Sequence, residues 1–144
     1  MGGRIGPGVG CLLLDWSGMD EVVVAGVSTL AKGEMIGSIA RHAAVDEPEL
    51  WTGVSKIAAG TATGWHHHGS NTTVFFMLSG SLGVEYGDDP VESATTSVGD
   101  LAVVPAGVVH REIVEGDAAV EAVVVRFGDG TGPLVVDVDR GHTT

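Results

Sequence analysis

Apolar positions along the chain fall in short β-branched runs: "EVVVAGV" (21–27), "LGVEY" (82–86), "LAVVPAG" (101–107), "AVEAVVVRF" (119–127) and "LVVDV" (134–138). Each has the length of a strand, and Gly, Pro and Asp clusters such as "AAGTATG", "SGSLG", "YGDDP" and "GDGTG" separate them about every ten residues. That rhythm predicts an all-β sandwich or barrel. Residues 81–86 and 91–97 flank the turn signal Gly87-Asp88-Asp89-Pro90 and should form a hairpin. The one helix-compatible stretch, "VDEPELW" (45–51), is too short to change the class. The first ten residues and the closing "GHTT", with His142, read as weakly ordered ends.

At 144 residues the chain suits one domain around one core, 1–144. Its balance of 7 Lys+Arg against 19 Asp+Glu, a net charge of −12, repels phosphate backbones and anionic lipid. No nucleic-acid or membrane partner is therefore expected. A lone Cys11 cannot make an internal disulfide and reads as a small buried apolar residue. With no apolar run of about 18 residues and no leader pattern, these features predict a reduced, cytoplasmic setting.

The chemistry concentrates in "GWHHHGSNTTVFFMLSG" (64–80), which holds three of the six histidines. In an extended segment His66 and His68 share a face while His67 points the other way. Further on, "GDLAVVPAGVVH" ends a strand and turn with His110. Three polar side chains aimed into a small barrel need partners, and a metal ion supplies them most simply. Among the remaining histidines, His42 in "SIARHAAV" is the available fourth ligand. Thr73 is a hydroxyl close to the site in sequence, and Arg111 and Glu112 directly follow His110, where they could orient an imidazole or pair at the surface. Arg126, in "VVVRFG", reads as a strand-edge residue.

Two spacings carry a family resemblance. Gly60, five residues, His66-x-His68 and then Gly80 resembles the first cupin motif; Gly99, five residues, Pro105-x-Gly107, two residues and His110 resembles the second. Flanking segments, Leu50-Trp51, Thr63 to Gly69, Arg111-Glu112 and Val123 to Asp139, extend the likeness to small cupins. The resemblance implies a cupin jelly-roll barrel, a double-stranded β-helix, with a barrel core at about 34–138. It also implies one divalent transition metal per chain. Where the first motif places a glutamate ligand this chain has Thr72 and Thr73, and Val114 replaces the second motif's Asn. An all-nitrogen site of His66, His68, His110 and His42 is the resulting expectation, with zinc first and Fe(II) or nickel as alternatives. Such a site is similar to that of histidine-only cupins such as the resistomycin-type polyketide cyclases. With an apolar lining it implies a metal-dependent enzyme acting on an apolar or aromatic β-dicarbonyl or polyketide. Three histidines alone would suit an Fe(II) dioxygenase, and a binding cupin without turnover is the third alternative. Open edge strands and the apolar N-terminal runs "CLLLDW" and "EVVVAGV" predict a homodimer.

Overall fold

Alternating burial along the strands builds two antiparallel sheets. The computed structural model describes residues 20–32 and 39–140. In chain order the strands are β1 (Ala31–Lys32), β2 (Ile39–Glu47), β3 (Leu50–Ile57), β4 (His66–His67), β5 (Thr72–Ser79) and β6 (Leu82–Gly87), followed by β7 (Val91–Thr96), β8 (Leu101–Val104), β9 (His110–Ile113), β10 (Val120–Phe127) and β11 (Val136–Asp137). One sheet runs β1-β2-β3-β10-β5-β8 and the other β11-β4-β9-β6-β7.

The period of two decides what faces inward. On β10, Val120, Ala122, Val124 and Arg126 are buried, while the residues between them are less so. Trp51, Phe75, Met77, Leu82, Val84 and Val120 are among the side chains that fill the space between the sheets. Met77 and Val120 are wholly inaccessible; each such apolar side chain stabilises the fold by about 1.5–3 kcal/mol.

The predicted 81–97 hairpin is present, with Gly87 opposite Val91. "VDEPELW" is instead the end of β2, a two-residue turn at Pro48-Glu49 and the start of β3, where Glu47 sits opposite Leu50. "EVVVAGV" is not a strand. It runs as coil into a 3-10 turn at Val27–Thr29, and Val22 and Val24 are exposed, since among the described residues no strand pairs with them. "CLLLDW", Cys11 and His142 lie outside the described residues. Among the described residues no helix is long and apolar enough to cross a membrane.

Candidate metal centre

His66 and His110 are register partners on neighbouring strands of the smaller sheet, so their side chains project together from one face. His68 lies just past β4, where the chain bends at Gly69, whose φ of 59° suits a residue with no side chain. Buried Asn71 fixes that bend: its backbone N–H and its side-chain amide both donate to the His68 carbonyl, at 3.0 and 2.9 Å. The three imidazoles meet, with centroids 4.4 to 5.0 Å apart and ligand nitrogens all within 4.8 Å of one another.

Each ring is latched from behind. His66 Nδ1 lies 2.8 Å from the Gly64 carbonyl, His110 Nδ1 2.9 Å from that of Val108, and His68 Nδ1 3.0 Å from that of Leu134. A carbonyl only accepts, so every Nδ1 carries the proton and donates it. In the neutral imidazoles each Nε2 is then the lone-pair nitrogen, and the three lie within 4.8 Å of one another. As a lone pair the fully buried His110 Nε2 has no hydrogen-bond partner, because the Glu112 carboxylate 3.3 Å away can only accept; once protonated, it meets that carboxylate. Leaving a buried polar atom unmet costs roughly 1–3 kcal/mol, and a divalent transition metal fits the donor set and removes that cost.

A carboxylate is present after all. Glu112 stands two residues beyond His110 on β9, hence on the same face, and its oxygens lie 3.3 Å from His110 Nε2 and 3.5 Å from His66 Nε2. Thr63 holds it: the hydroxyl donates to Glu112 Oε2 at 2.9 Å and accepts the Glu112 backbone N–H at 2.9 Å. The three nitrogens that converge are therefore accompanied by a carboxylate from β9 beside them, which the expectation of an all-nitrogen centre did not include. Burial pushes the Glu112 carboxyl up, but hydrogen bonding to His110 and the positive charge of His66 and His110 outweigh it and hold the group at about 2. Burial pushes His110 down, and the facing Glu112 carboxylate reverses this and raises it. His68 faces no such carboxylate; burial first, then the charge of Arg126, lower it to about 3.

His42 does not join the centre. It pairs in register with Lys32 and Val54, on the opposite parity from Arg41, which lines the cavity, so its ring faces the other side of the sheet. His67 likewise points away, its Nδ1 accepting the Gly69 N–H at 3.0 Å. Arg111 alternates away from His110 and pairs with Glu85 in the neighbouring strand, so it does not orient an imidazole; the backbone carbonyls do. Thr73 faces inward, but its hydroxyl accepts the Arg126 Nε–H at 3.0 Å.

Arg126 corrects the strand-edge reading. Its strand lies between β3 and β5, and it shares parity with the buried Val120, Ala122 and Val124, so its side chain is only 9% exposed. The inward phase was available in "AVEAVVVRF", but three successive valines hid it. Burial, then the neighbouring charge of Arg41, lower Arg126 to about 10, so it remains a cation. A cavity of about 430 Å³ borders the centre. Its wall includes Trp65, Phe75, Leu82 and Val124 with His66, His68 and Glu112, and also Arg41 and Arg126.

A double-sheet jelly roll with three converging imidazoles that could hold a metal ion defines a histidine-centred barrel. Residues 53–126 match the family model described as "Cupin domain", and the chain belongs to the cupin family. It is similar to the uncharacterized conserved protein with a double-stranded beta-helix domain from Klebsiella pneumoniae, at 18% identity and a TM-score of 0.66, covering 83% of this chain and 100% of that one. The Cnp3 cupin domain of Schizosaccharomyces pombe gives 18% identity and a TM-score of 0.63 over 76% of this chain and 71% of that one. KdgF from Halomonas sp. gives 18% and 0.57 over 68% and 86%. No curated protein matches the chain.

Proposed function

We propose that the protein is a metal-dependent cupin enzyme that forms and uses the enolate of a small β-dicarbonyl compound, with intramolecular ring closure of the polyketide-cyclase kind as its reaction. The observation that carries this reading is the set of three Nε2 lone pairs, one of them buried without a partner, beside an ionised carboxylate. A divalent ion of the zinc, Fe(II) or nickel type, one per chain, would supply Lewis acidity that lowers the pKa of a C–H beside a carbonyl. His66, His68 and His110 would hold it, their rings fixed by the Gly64, Leu134 and Val108 carbonyls.

Glu112 is the proton acceptor at this centre. Thr63 fixes its Oε2, and its other oxygen lies beside His110. As the C–H bond breaks, the proton goes to the Glu112 carboxylate and the electron pair is delocalised onto the carbonyl oxygens. The enolate carbon then bonds to a second carbonyl of the same molecule, whose oxygen takes up the proton. Trp65, Phe75, Leu82 and Val124 fold the carbon chain and exclude water.

A second reading is favoured by one observation: the nitrogen set is three histidines, with His42 outside it. That set suits Fe(II) chemistry with O₂ and cleavage of the dicarbonyl. Turnover of a β-dicarbonyl panel under argon and in air separates the two. Ring-closed products without oxygen uptake support cyclisation, strict oxygen dependence with cleaved products replaces it by the dioxygenase, and full activity in metal-free protein refutes both.

A further inference from the structure

Among the described residues Arg126 is a buried cation in no ion pair, although the charge of Glu112, on the same cavity wall, reaches it. Lys56, Arg111 and Arg140 each stand against a Glu or Asp, whereas the Arg126 Nε–H donates to the neutral Thr73 hydroxyl, and among the described residues no carboxylate forms an ion pair with it. Burying an unpaired charge is costly, so a protein keeps one where a ligand neutralises it. Its guanidinium lines the cavity, close enough to the centre that its charge acts on His68 and His110.

A second cation reaches the same wall. Arg41 projects into the cavity from β2, opposite Ser55 in register, and its guanidinium lies 4.3 Å from the Trp51 ring centroid. Trp51 is the register partner of Arg126, so stacking on it carries Arg41 toward Arg126. Gly53 lies between Trp51 and Ser55 on the same face. No side chain fits there, because an added Cβ would fall 2.9 Å from the Ala43 Cα and closer still to the His42 carbonyl. Two like charges are thus drawn together inside a chain of net charge −12.

We propose that Arg126 and Arg41 form an anion subsite for the carboxylate of a small organic acid. The inference rests on the enolate-forming centre proposed above and names its substrate class, a poly-β-oxo acid, with its carboxylate on the arginines and its further carbonyl oxygens toward the histidines. A guanidinium fork matches a planar carboxylate with two parallel N–H···O bonds. The protein's overall negative charge opposes anions, so a preference for one requires a local site.

Isothermal titration compares acetoacetate with its methyl ester, in metal-free and in metal-loaded protein, with metal content measured separately. Wild type is expected to bind the acid at least about tenfold more tightly than the ester. Arg126→Gln is expected to erase the preference at unchanged metal content, Arg126→Lys to keep part of it, and Arg41→Gln to weaken it. Equal binding of acid and ester by wild type overturns the subsite, and needs no variant to fold. A preference that survives in folded Arg126→Gln overturns it equally, and inorganic phosphate binding more tightly than acetoacetate overturns the carboxylate assignment. Acid preference in protein that takes up no metal would leave the subsite standing and remove the metal centre.

Discussion

Replacing Gly128 by alanine would test whether the third imidazole is held by Asn71. A Cβ at residue 128 would fall 2.3 Å from Asn71 Oδ1, 3.0 Å from its Cγ and 3.1 Å from its Cα, so the Asn71 side chain and backbone must both move. That movement breaks the two hydrogen bonds to the His68 carbonyl, worth about 1 kcal/mol each, and strands a buried amide at a further cost of roughly 1–3 kcal/mol. Allowing for relaxation, the loss is about 2–4 kcal/mol, a substantial fraction of the 5–15 kcal/mol typical of a domain. At roughly 2–4 °C per kcal/mol, Tm falls on the order of 10 °C. Urea denaturation in chelator measures this in the metal-free protein. Competition with a chromophoric chelator then reads metal affinity, expected to drop about 10- to 100-fold as for other groups that orient a ligand. A variant with wild-type stability and wild-type metal affinity would show that Asn71 does not hold His68, and the account of the bend would be withdrawn.

Loss of metal is expected for His66→Ala, His68→Ala and His110→Ala but not for His67→Ala or His42→Ala, by elemental analysis of protein purified without chelator; loss in His42→Ala would reopen the fourth-ligand question. Because His110 is raised above 6.5 in the metal-free protein, binding must displace its proton, so affinity should rise about tenfold per pH unit up to that raised value and then level off. The same shift makes His110 stabilise the metal-free fold below pH 6.5, a contribution lost as pH rises through the raised value, and chelator-treated protein should show that slope in urea melts. Light scattering at micromolar concentration is expected to give a homodimer, since Phe76, Leu78, Leu101 and Val103 expose an apolar face next to the edge strand β8; a clean monomer would refute it.

What the sequence made legible was local. Apart from "EVVVAGV", the strand runs, the hairpin turn at 87–90 and the two histidine spacings depend on residues close together in the chain, and the structure follows them. Phase set by distant pairing was harder to read. His42 and Arg41 are neighbours in an otherwise apolar stretch, and pairing with β1 and β3 decides which of them enters the cavity. Arg126 follows three valines, so its inward phase emerges only when β10 is seen between β3 and β5. Glu112 was within reach of local reasoning, being two residues past His110 on one strand. It was read there as an imidazole orienter or a surface partner, because the motif carboxylate was sought after His68, where the family pattern places it.

The three imidazole latches differ in reach. Gly64 and Val108 each lie two residues before the histidine they hold, so those rings are set as soon as their own strands form. Leu134 is 66 residues from His68, and the tail that carries it is tied down only when β11 pairs with β4 and the Val138 N–H meets the Trp65 carbonyl. A chain in which β11 has not paired with β4 therefore lacks the carbonyl that orients His68. An ion held by the three imidazoles would couple them to the 134–138 segment through His68, so a chelator is expected to loosen that segment first.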